Sequence, residues 1–335
     1  MFPAVAEETV IEALPLAFLI GLFVVGMAMV IKGGDFFVSS SVAIAHFAKI
    51  PSVVIGSTLV SFATTAPELA VSTTASFRGN PELAIGNAVG SAIANIGLIL
   101  GVLCVLRPMN VRARDFRLPA FAMLGSGLLL FFLTVRLELA RWGGVLLIIC
   151  GAGYLLTDYL RHRPGRGTAG ETVDSGEMPA RSLGYYIVLF ALGAAIVIGG
   201  SRLLCDTGVE LARRMNIPPM IIGLTLVAFG TSLPELVTAI TAARKGVPEL
   251  SLGNVIGANI MNVTLVSGTA AAIRPLPLTP ALQRYNFPAM LIIFVLLLVL
   301  ARTGRRLTRK EGWVLIGFYA LYLAGLILMR VGGAA

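Results

Sequence analysis

Apolar residues run along most of this chain in long blocks, each about the length that is needed to cross a lipid bilayer. A transmembrane helix needs about 20 consecutive, mainly apolar residues, and ten blocks of the sequence fit this description. The blocks lie near residues 14–32, 52–77, 81–106, 118–136, 143–160, 184–201, 218–243, 248–273, 286–301 and 312–330. The pattern therefore predicts an all-α integral membrane protein with ten transmembrane helices.

Composition and charge support this prediction. Of the 335 residues, 57% are hydrophobic and 13% are charged, which is more apolar material than one soluble core uses. The net charge of +9 does not indicate a nucleic-acid partner, because the basic residues lie in short loops between the spans. With the amino terminus outside, 17 of the 26 lysines and arginines fall on the inside, Lys32 among them. The positive-inside rule then predicts that both termini lie outside.

The chain contains an internal repeat. A shift of 167 residues aligns residues 56–101 with residues 223–268, without a gap and with 22 of 46 positions identical. Each copy belongs to a predicted half of five spans, residues 1–160 and 184–335, and the polar segment 161–183 reads as a flexible cytoplasmic linker. Because five is odd, the second half must cross the membrane in the opposite sense. Inverted repeats of this kind are typical of secondary transporters, whose substrate site lies at the midplane between the halves.

Each copy places a proline and a glutamate in the middle of an apolar block, as Pro67-Glu68 and Pro234-Glu235. Each glutamate stands nine or ten residues before a basic residue at the end of its span, or roughly 15 Å along a helix, so both are predicted near the bilayer centre. An ionised glutamate at that depth normally faces a polar cavity or a partner. The proline is predicted to break the helix and to free backbone carbonyls, which can bind cations beside the carboxylate.

Further polar side chains accompany both glutamates. Hydroxyl groups stand three and four residues before them, on Thr64, Thr65, Thr231 and Ser232. The following spans carry a stripe with helical spacing, made of Asn87, Ser91 and Asn95 in the first copy and of Asn254, Ala258 and Asn262 in the second. Any one of these residues could serve helix packing alone, but the duplicated set around two carboxylates indicates a cation site. Glu82 and Glu249 follow prolines at span starts, where they are predicted to be ordinary capping residues without a transport role.

The motifs ATTAPEL…GNAVGSAIANIGLILG and GTSLPEL…GNVIGANIMN resemble the two alpha-repeats of the cation/calcium exchanger superfamily, specifically its prokaryotic sodium/calcium exchanger-like branch. The resemblance covers nearly the whole chain. It implies a Ca²⁺ antiporter that is driven by Na⁺, or by H⁺ in sister branches, with alternating access through sliding of the first and sixth spans. The ion ligands that it implies are Thr64, Thr65, Glu68, Ser91 and Asn95 in the first copy and Thr231, Ser232, Glu235 and Asn262 in the second.

Two positions depart from the fullest version of the family pattern. Ala258 stands where a serine often supplies a ligand, and Asn262 stands where several relatives carry an aspartate. The first departure removes one possible Na⁺ subsite or leaves it to a backbone carbonyl. The second leaves the predicted site with two formal negative charges.

The chemistry of these residues favours an antiporter over other classes. Carboxylate, hydroxyl, amide and carbonyl oxygens suit Ca²⁺, whereas Zn or Cu would call for His or Cys. One Ca²⁺, two Na⁺ or two H⁺ would each neutralise two glutamates, so Na⁺/Ca²⁺ antiport is the first hypothesis and Ca²⁺/H⁺ antiport the alternative. A cation channel would give uncoupled flux, and an intramembrane protease would use two aspartates, so we expect no enzyme activity and no cofactor. The expected partners are the transported ions and membrane lipid, and the Ala-, Gly- and Arg-rich loops favour a bacterial inner membrane.

Overall fold

The computed structural model describes residues 14–48, 52–161, 181–215 and 232–332. These residues form α-helices that are interrupted by short π-helical segments and tied together by two small β-ladders. The α-helices are α1 (Leu16–Ala48), α2 (Ser52–Ile55), α3 (Ser61–Thr64), α4 (Ala66–Phe77), α5 (Pro81–Ala94), α6 (Gly101–Leu106), α7 (Ala113–Leu133), α8 (Arg141–Arg161), α9 (Leu183–Arg214), α10 (Leu233–Arg244), α11 (Pro248–Met261), α12 (Ser267–Ile273), α13 (Phe287–Gly304) and α14 (Arg309–Gly332). The π-helical segments are π1 (Gly56–Val60), π2 (Asn95–Leu100), π3 (Asn262–Val266) and π4 (Leu282–Asn286). The strands are β1 (Met109–Asn110), β2 (Glu138–Leu139), β3 (Leu276–Pro277) and β4 (Arg306–Leu307).

The described helices make this a multi-span membrane protein. Seven of them are long and apolar enough to cross a membrane, and one bent pair of helices could form an eighth span. The predicted span 218–243 lies partly outside the described residues, since 216–231 are not among them. Ten spans therefore stay a prediction. The linker 161–183 also stays a prediction, because the structure describes only residues 161 and 181–183 of it.

Two helices are much longer than the apolar blocks that predicted them. Helix α1 has 33 residues and α9 has 32, whereas the blocks near 14–32 and 184–201 suggested single spans of ordinary length. At about 1.5 Å per residue each helix is roughly 50 Å long, well beyond the ~30 Å hydrocarbon core. Lys32, which was predicted in an inner loop, lies within α1 instead. The helix continues because later turns also have a partner to pack against, as the burial of Phe37 and Val38 indicates.

Helices α1 and α9 pack side by side and run in opposite directions. Gly26 of α1 faces Gly200 of α9. Phe37, later in α1, contacts Phe190, earlier in α9, with ring centroids 4.7 Å apart and ring planes tilted by 34°. A Cβ atom added at Gly193 would lie 2.6 Å from the Phe37 backbone nitrogen. Small residues thus let the two backbones approach closely, as is common between membrane helices.

The centre of the molecule is built from the two spans that follow the Pro-Glu motifs. In an 18-residue apolar stretch of the span Pro81–Leu106, 67% of the residues are buried, and in that of Pro248–Ile273 78% are, compared with 22% for Leu16–Ala48. The short helix α2 and segment π1 lie against α11, where glycine again permits the contact: a Cβ atom at Gly257 would meet Ser57 and Ser61. The polar stripes of the sequence therefore belong to the helices that are most removed from lipid.

Two short β-ladders join the two halves of the chain. Strand β1 pairs antiparallel with β4, and β2 pairs antiparallel with β3. A shift of 167 residues carries Met109 of β1 onto Leu276 of β3, and in the ladders these residues pair with Leu307 and Leu139 respectively. Each ladder thus takes one strand from each half of the chain.

Candidate cation site

The first Pro-Glu motif lies at a break in its span. Helix α3 ends at Thr64, α4 begins at Ala66, and the two parts of the span are bent by 43°. The break falls at Thr65, just before Pro67, because a proline fits the first turn of a helix, where its missing N–H has no partner to lose. In the second copy α10 begins at Leu233 with a proline in its first turn, and the upstream part of that span lies outside the described residues.

Glu68 lies in the first turn of α4 and is completely buried. A carboxylate is favoured at this end of a helix by the free N–H groups and the helix dipole. Glu68 Oε1 accepts a hydrogen bond from the Ser232 hydroxyl at 3.3 Å, and Ser232 Oγ also lies 3.4 Å from Ser91 Oγ. The structure thus brings together three predicted ligands, one of them from the other copy of the repeat.

Glu235 occupies the same place in the first turn of α10 and is also completely buried. Its carboxylate interacts electrostatically with that of Glu68. Among the described residues neither carboxylate oxygen of Glu235 has a hydrogen-bond partner of normal geometry. The Thr64 hydroxyl lies beside this carboxylate but contacts Asn254 Oδ1 at 3.2 Å. Ser232, which precedes the helix that carries Glu235, also contacts Glu68, so the glutamates of the two copies belong to one buried site.

Several other polar side chains around these contacts are buried. They include the predicted ligands Thr65, Asn95 and Asn262. Within the described part of the chain, no partner is found for Thr65 Oγ1, for Asn95 Oδ1 or for either amide atom of Asn262. Buried polar atoms nearly always have a partner, and oxygen atoms without one could be satisfied by a bound cation. Thr231, the remaining predicted ligand, lies outside the described residues.

Asn95 and Asn262 lie on segments that pack against the glutamate-bearing helices of the opposite copies. Each begins a π-helical segment, π2 and π3 respectively, and the two positions are equivalent in the repeat. Segment π2 packs against α10, which carries Glu235, and π3 packs against α4, which carries Glu68. Each copy thus contributes an asparagine-bearing segment that packs against the glutamate-bearing helix of the other.

The neutral character of these side chains limits which cations the site could hold. Among the residues that the structure describes, no three His, Cys, Asp or Glu side chains come together. A cation here would therefore take two carboxylates and otherwise neutral oxygens, a set that suits Ca²⁺ or Na⁺ better than a transition metal.

Two asparagines in the site were not among the predicted ligands. Asn254 was recognised only as part of a stripe, yet it contacts Thr64. Asn259 was missed, although its Oδ1 accepts a hydrogen bond of 3.0 Å from Asn95. Its repeat counterpart is Ala92, so a search for duplicated polar residues could not find it. Asn87, another stripe residue, donates to the Glu68 backbone carbonyl at 3.2 Å and thereby ties α5 to the start of α4.

Comparison with known proteins agrees with this architecture. The family profile described as "Sodium/calcium exchanger protein" matches residues 18–160 and again residues 185–328. The sodium/calcium exchanger MaX1 of Methanosarcina acetivorans is 32% identical, with 90% of this chain and 96% of MaX1 covered. The inner membrane protein YrbG of Escherichia coli is 33% identical, with coverage of 90% and 95%.

Among solved structures, the sodium-calcium exchanger NCX_Mj soaked with Na⁺ and Ca²⁺ matches with a TM-score of 0.81 and 28% identity, over 93% of this chain and 99% of that one. One profile match falls in each predicted half of the sequence. The chain therefore belongs to the sodium/calcium exchanger protein family, as a membrane antiporter with two repeats.

Proposed function

We propose that this antiporter exchanges Ca²⁺ for Na⁺ across the membrane at a site formed by Glu68 and Glu235. The observation that carries the proposal is that both carboxylates are fully buried and that Ser232, at the start of the Glu235 helix, bonds to Glu68 of the other copy. The names of two relatives support the choice of ions, since MaX1 is a sodium/calcium exchanger and NCX_Mj was soaked with Na⁺ and Ca²⁺.

The proposed ligands are those that the motif positions imply, namely Thr64, Thr65, Glu68, Ser91, Asn95, Thr231, Ser232, Glu235 and Asn262. The burial of the eight described members supports this assignment. Their oxygens could supply the six to eight ligands that Ca²⁺ prefers.

Charge balance gives the proposed exchange its coupling. Two ionised carboxylates inside a membrane are costly, and one Ca²⁺ or two Na⁺ would neutralise them. A loaded site can then change its facing, whereas an empty, doubly charged site should not. Each half-cycle therefore requires a cation, and the two fluxes become coupled.

Alternating access is proposed to follow from inverted repeats of five spans each, residues 1–160 and 184–335. The antiparallel packing of α1 and α9, which are the equivalent first helices of the two halves, supports inversion. The two β-ladders support inversion as well, since each pairs one strand of the first half with one strand of the second. In this arrangement the proposed site lies between the halves, and α1 and α9 move together against the bundle.

Ca²⁺/H⁺ antiport is the second candidate function. Asn262 and Ala258 are both fully buried and carry no charge, so this site offers fewer ligands for additional Na⁺ than the fullest family pattern. Two protons would balance Glu68 and Glu235 as well as two Na⁺ would. The two candidates differ in the gradient that drives Ca²⁺.

Reconstitution of the purified protein into liposomes tests the proposal. Uptake of ⁴⁵Ca²⁺ should follow an outward Na⁺ gradient at constant pH and should stay at background with a pH gradient in Na⁺-free buffer. Uptake driven by the pH gradient alone would favour the second candidate. Ca²⁺ entry down its own gradient in Na⁺-free buffer, unaccompanied by proton release, would indicate a channel and contradict both.

A further inference from the structure

Three buried side chains form a directed chain of contacts beside the proposed cation site. They are Met123 of α7, Asn259 of α11 and Asn95 of π2, and all three are inaccessible to solvent. Asn95 Nδ2 donates to Asn259 Oδ1 at 3.0 Å, and Asn259 Nδ2 points to Met123 Sδ at 3.8 Å. Neither Asn259 nor Met123 was assigned a role by the sequence motifs.

The thioether at the end of this chain sets the orientation of both amides. A methionine sulfur can accept a weak hydrogen bond but cannot donate one, so it selects the NH₂ end of Asn259. The Asn259 oxygen must then face Asn95, and it selects the NH₂ end of that residue in turn. The Asn95 oxygen is left on the opposite side, where it has no partner among the described residues.

We propose that Asn259, supported by Met123, is a positioning residue that fixes Asn95 as an oxygen ligand for the transported cation. This inference rests on the proposed function, since it concerns the same site. If the Asn95 side-chain amide rotated so that its oxygen and nitrogen exchanged places, its NH₂ hydrogens would face the cation and repel it. Holding the Asn95 amide in one orientation excludes the repulsive one. It also lowers the conformational entropy that the side chain would lose when the cation binds.

The arrangement makes the two repeat-related asparagines unequal. Met290 is the counterpart of Met123 and is also buried, but Ala92 stands in place of the second Asn259. Within the described residues Asn262 has no partner for either end of its amide. We therefore assign a fixed ligand role to Asn95 and an adaptable one to Asn262.

A double-mutant cycle tests whether Asn259 acts through Asn95. Ca²⁺ binding to the purified protein is measured by titration calorimetry for Asn259→Ala, Asn95→Ala and the double variant. Loss of a residue that orients a metal ligand typically weakens binding by about 10-fold or more, so each single variant should lose about that much. The double variant should be no weaker than Asn95→Ala, and independent, multiplying losses would overturn the proposal.

Met123→Leu and Thr264→Val are the companion variants. Met123→Leu keeps the volume but removes the sulfur acceptor, so we expect a smaller loss of about 2-fold, in keeping with a weak sulfur contact. Thr264 lies in the same span and, among the described residues, donates to the Ile260 carbonyl, so Thr264→Val should leave Ca²⁺ affinity unchanged. If Thr264→Val lost as much Ca²⁺ affinity as Asn259→Ala, the effect of Asn259→Ala would reflect general destabilisation of the protein, and the proposal would be overturned.

A readout without any cation separates this inference from the proposed function. In protein labelled with ¹⁵N at asparagine, the Asn95 side-chain NH₂ protons should exchange slowly with solvent and should exchange faster in Asn259→Ala. Fast exchange in the unsubstituted protein would overturn the positioning role, whatever ion is carried. If Glu68→Gln and Glu235→Gln kept full Ca²⁺ binding, the proposed function would fail while the exchange result still decided the orientation of Asn95.

Discussion

At the residue scale, the chemistry depends on where identical side chains stand. Glu68 and Glu82 each follow a proline in the first turn of a helix. Glu68 is buried beside Ser232 and Glu235, whereas the Glu82 side chain is exposed and follows Asn80, whose side chain caps the helix by accepting from the Leu83 N–H. The local motif is the same in both places, and burial against the other copy separates a proposed ligand from a capping residue.

This pair gives a matched test of the carboxylates. Glu68→Gln and Glu235→Gln should each reduce Na⁺-driven ⁴⁵Ca²⁺ uptake to background, because the site would keep its shape but lose one of two charges. Glu82→Gln should retain uptake near the level of the unsubstituted protein. All three variants should elute as folded protein on size-exclusion chromatography. Normal exchange in either of the first two would exclude that residue as a ligand.

Asn262 offers the opposite change, from a neutral to a charged ligand. Because Asn262 is fully buried on the segment that packs against α4, Asn262→Asp should raise the affinity for Ca²⁺ or the number of Na⁺ exchanged for it. The measurement is Ca²⁺ titration together with the membrane potential that exchange generates in liposomes. An affinity and a stoichiometry that both stay unchanged would show that this side chain points away from the ion.

At the scale of elements, the close contact of α1 and α9 depends on glycine. A Cβ atom at Gly193 would approach the backbone of Phe37 to 2.6 Å, and backbone cannot move aside as a flexible side chain can. At Gly184, earlier in the same helix, nothing lies within 4 Å of such an atom. The two glycines have the same sequence context of a long apolar helix but different packing.

Alanine substitutions at these positions should therefore differ. Gly193→Ala overpacks the contact, which typically costs about 1–3 kcal/mol, and it should lower the melting temperature and slow exchange if α1 and α9 move as a pair. Gly184→Ala should have little effect on either quantity. Thermal unfolding followed by tryptophan fluorescence and initial rates of ⁴⁵Ca²⁺ uptake make the comparison. Equal melting temperatures would contradict the close contact.

At the scale of the whole molecule, inversion predicts where equivalent turns lie. Gly79 and Gly246 both have positive φ and end the two helices that carry the glutamates. Their neighbours Arg78 and Lys245 are exposed and are separated by the repeat shift of 167 residues. If the halves are inverted, these two turns lie on opposite sides of the membrane.

Cysteine labelling tests this prediction. In a background without Cys104, Cys150 and Cys205, Arg78→Cys should react with a membrane-impermeant maleimide added to intact cells. Lys245→Cys should react only in inverted membrane vesicles, since its turn is predicted inside. The Lys245 contact with Asp35, at 3.4 Å between partly exposed groups, should contribute less than about 1 kcal/mol to stability and should not disturb the test. Labelling of both sites from the same side would contradict inverted repeats.

Much of this protein was predictable from local pattern. The apolar blocks, the repeat and the Pro-Glu motifs are properties of short segments, so they identified an all-α membrane protein of the exchanger family and the break near Pro67. The lengths of α1 and α9 were not predictable from hydropathy, because the later turns of each helix are stabilised by packing against the earlier turns of the other. The role of Asn259 was not predictable either, since the internal repeat identifies only residues that occur in both copies.

The amino-acid pattern alone specifies which chemical groups this protein has and the membrane depth at which they are expected, because span length and the cost of burying charge act on each segment separately. Which of those groups come into contact depends on the packing of the helices. Ser232 contacts Glu68 across 164 residues of chain, and Asn259 contacts Asn95 across the same separation. Such contacts depend on how helices from the two halves pack together, and no periodicity within one segment carries that information.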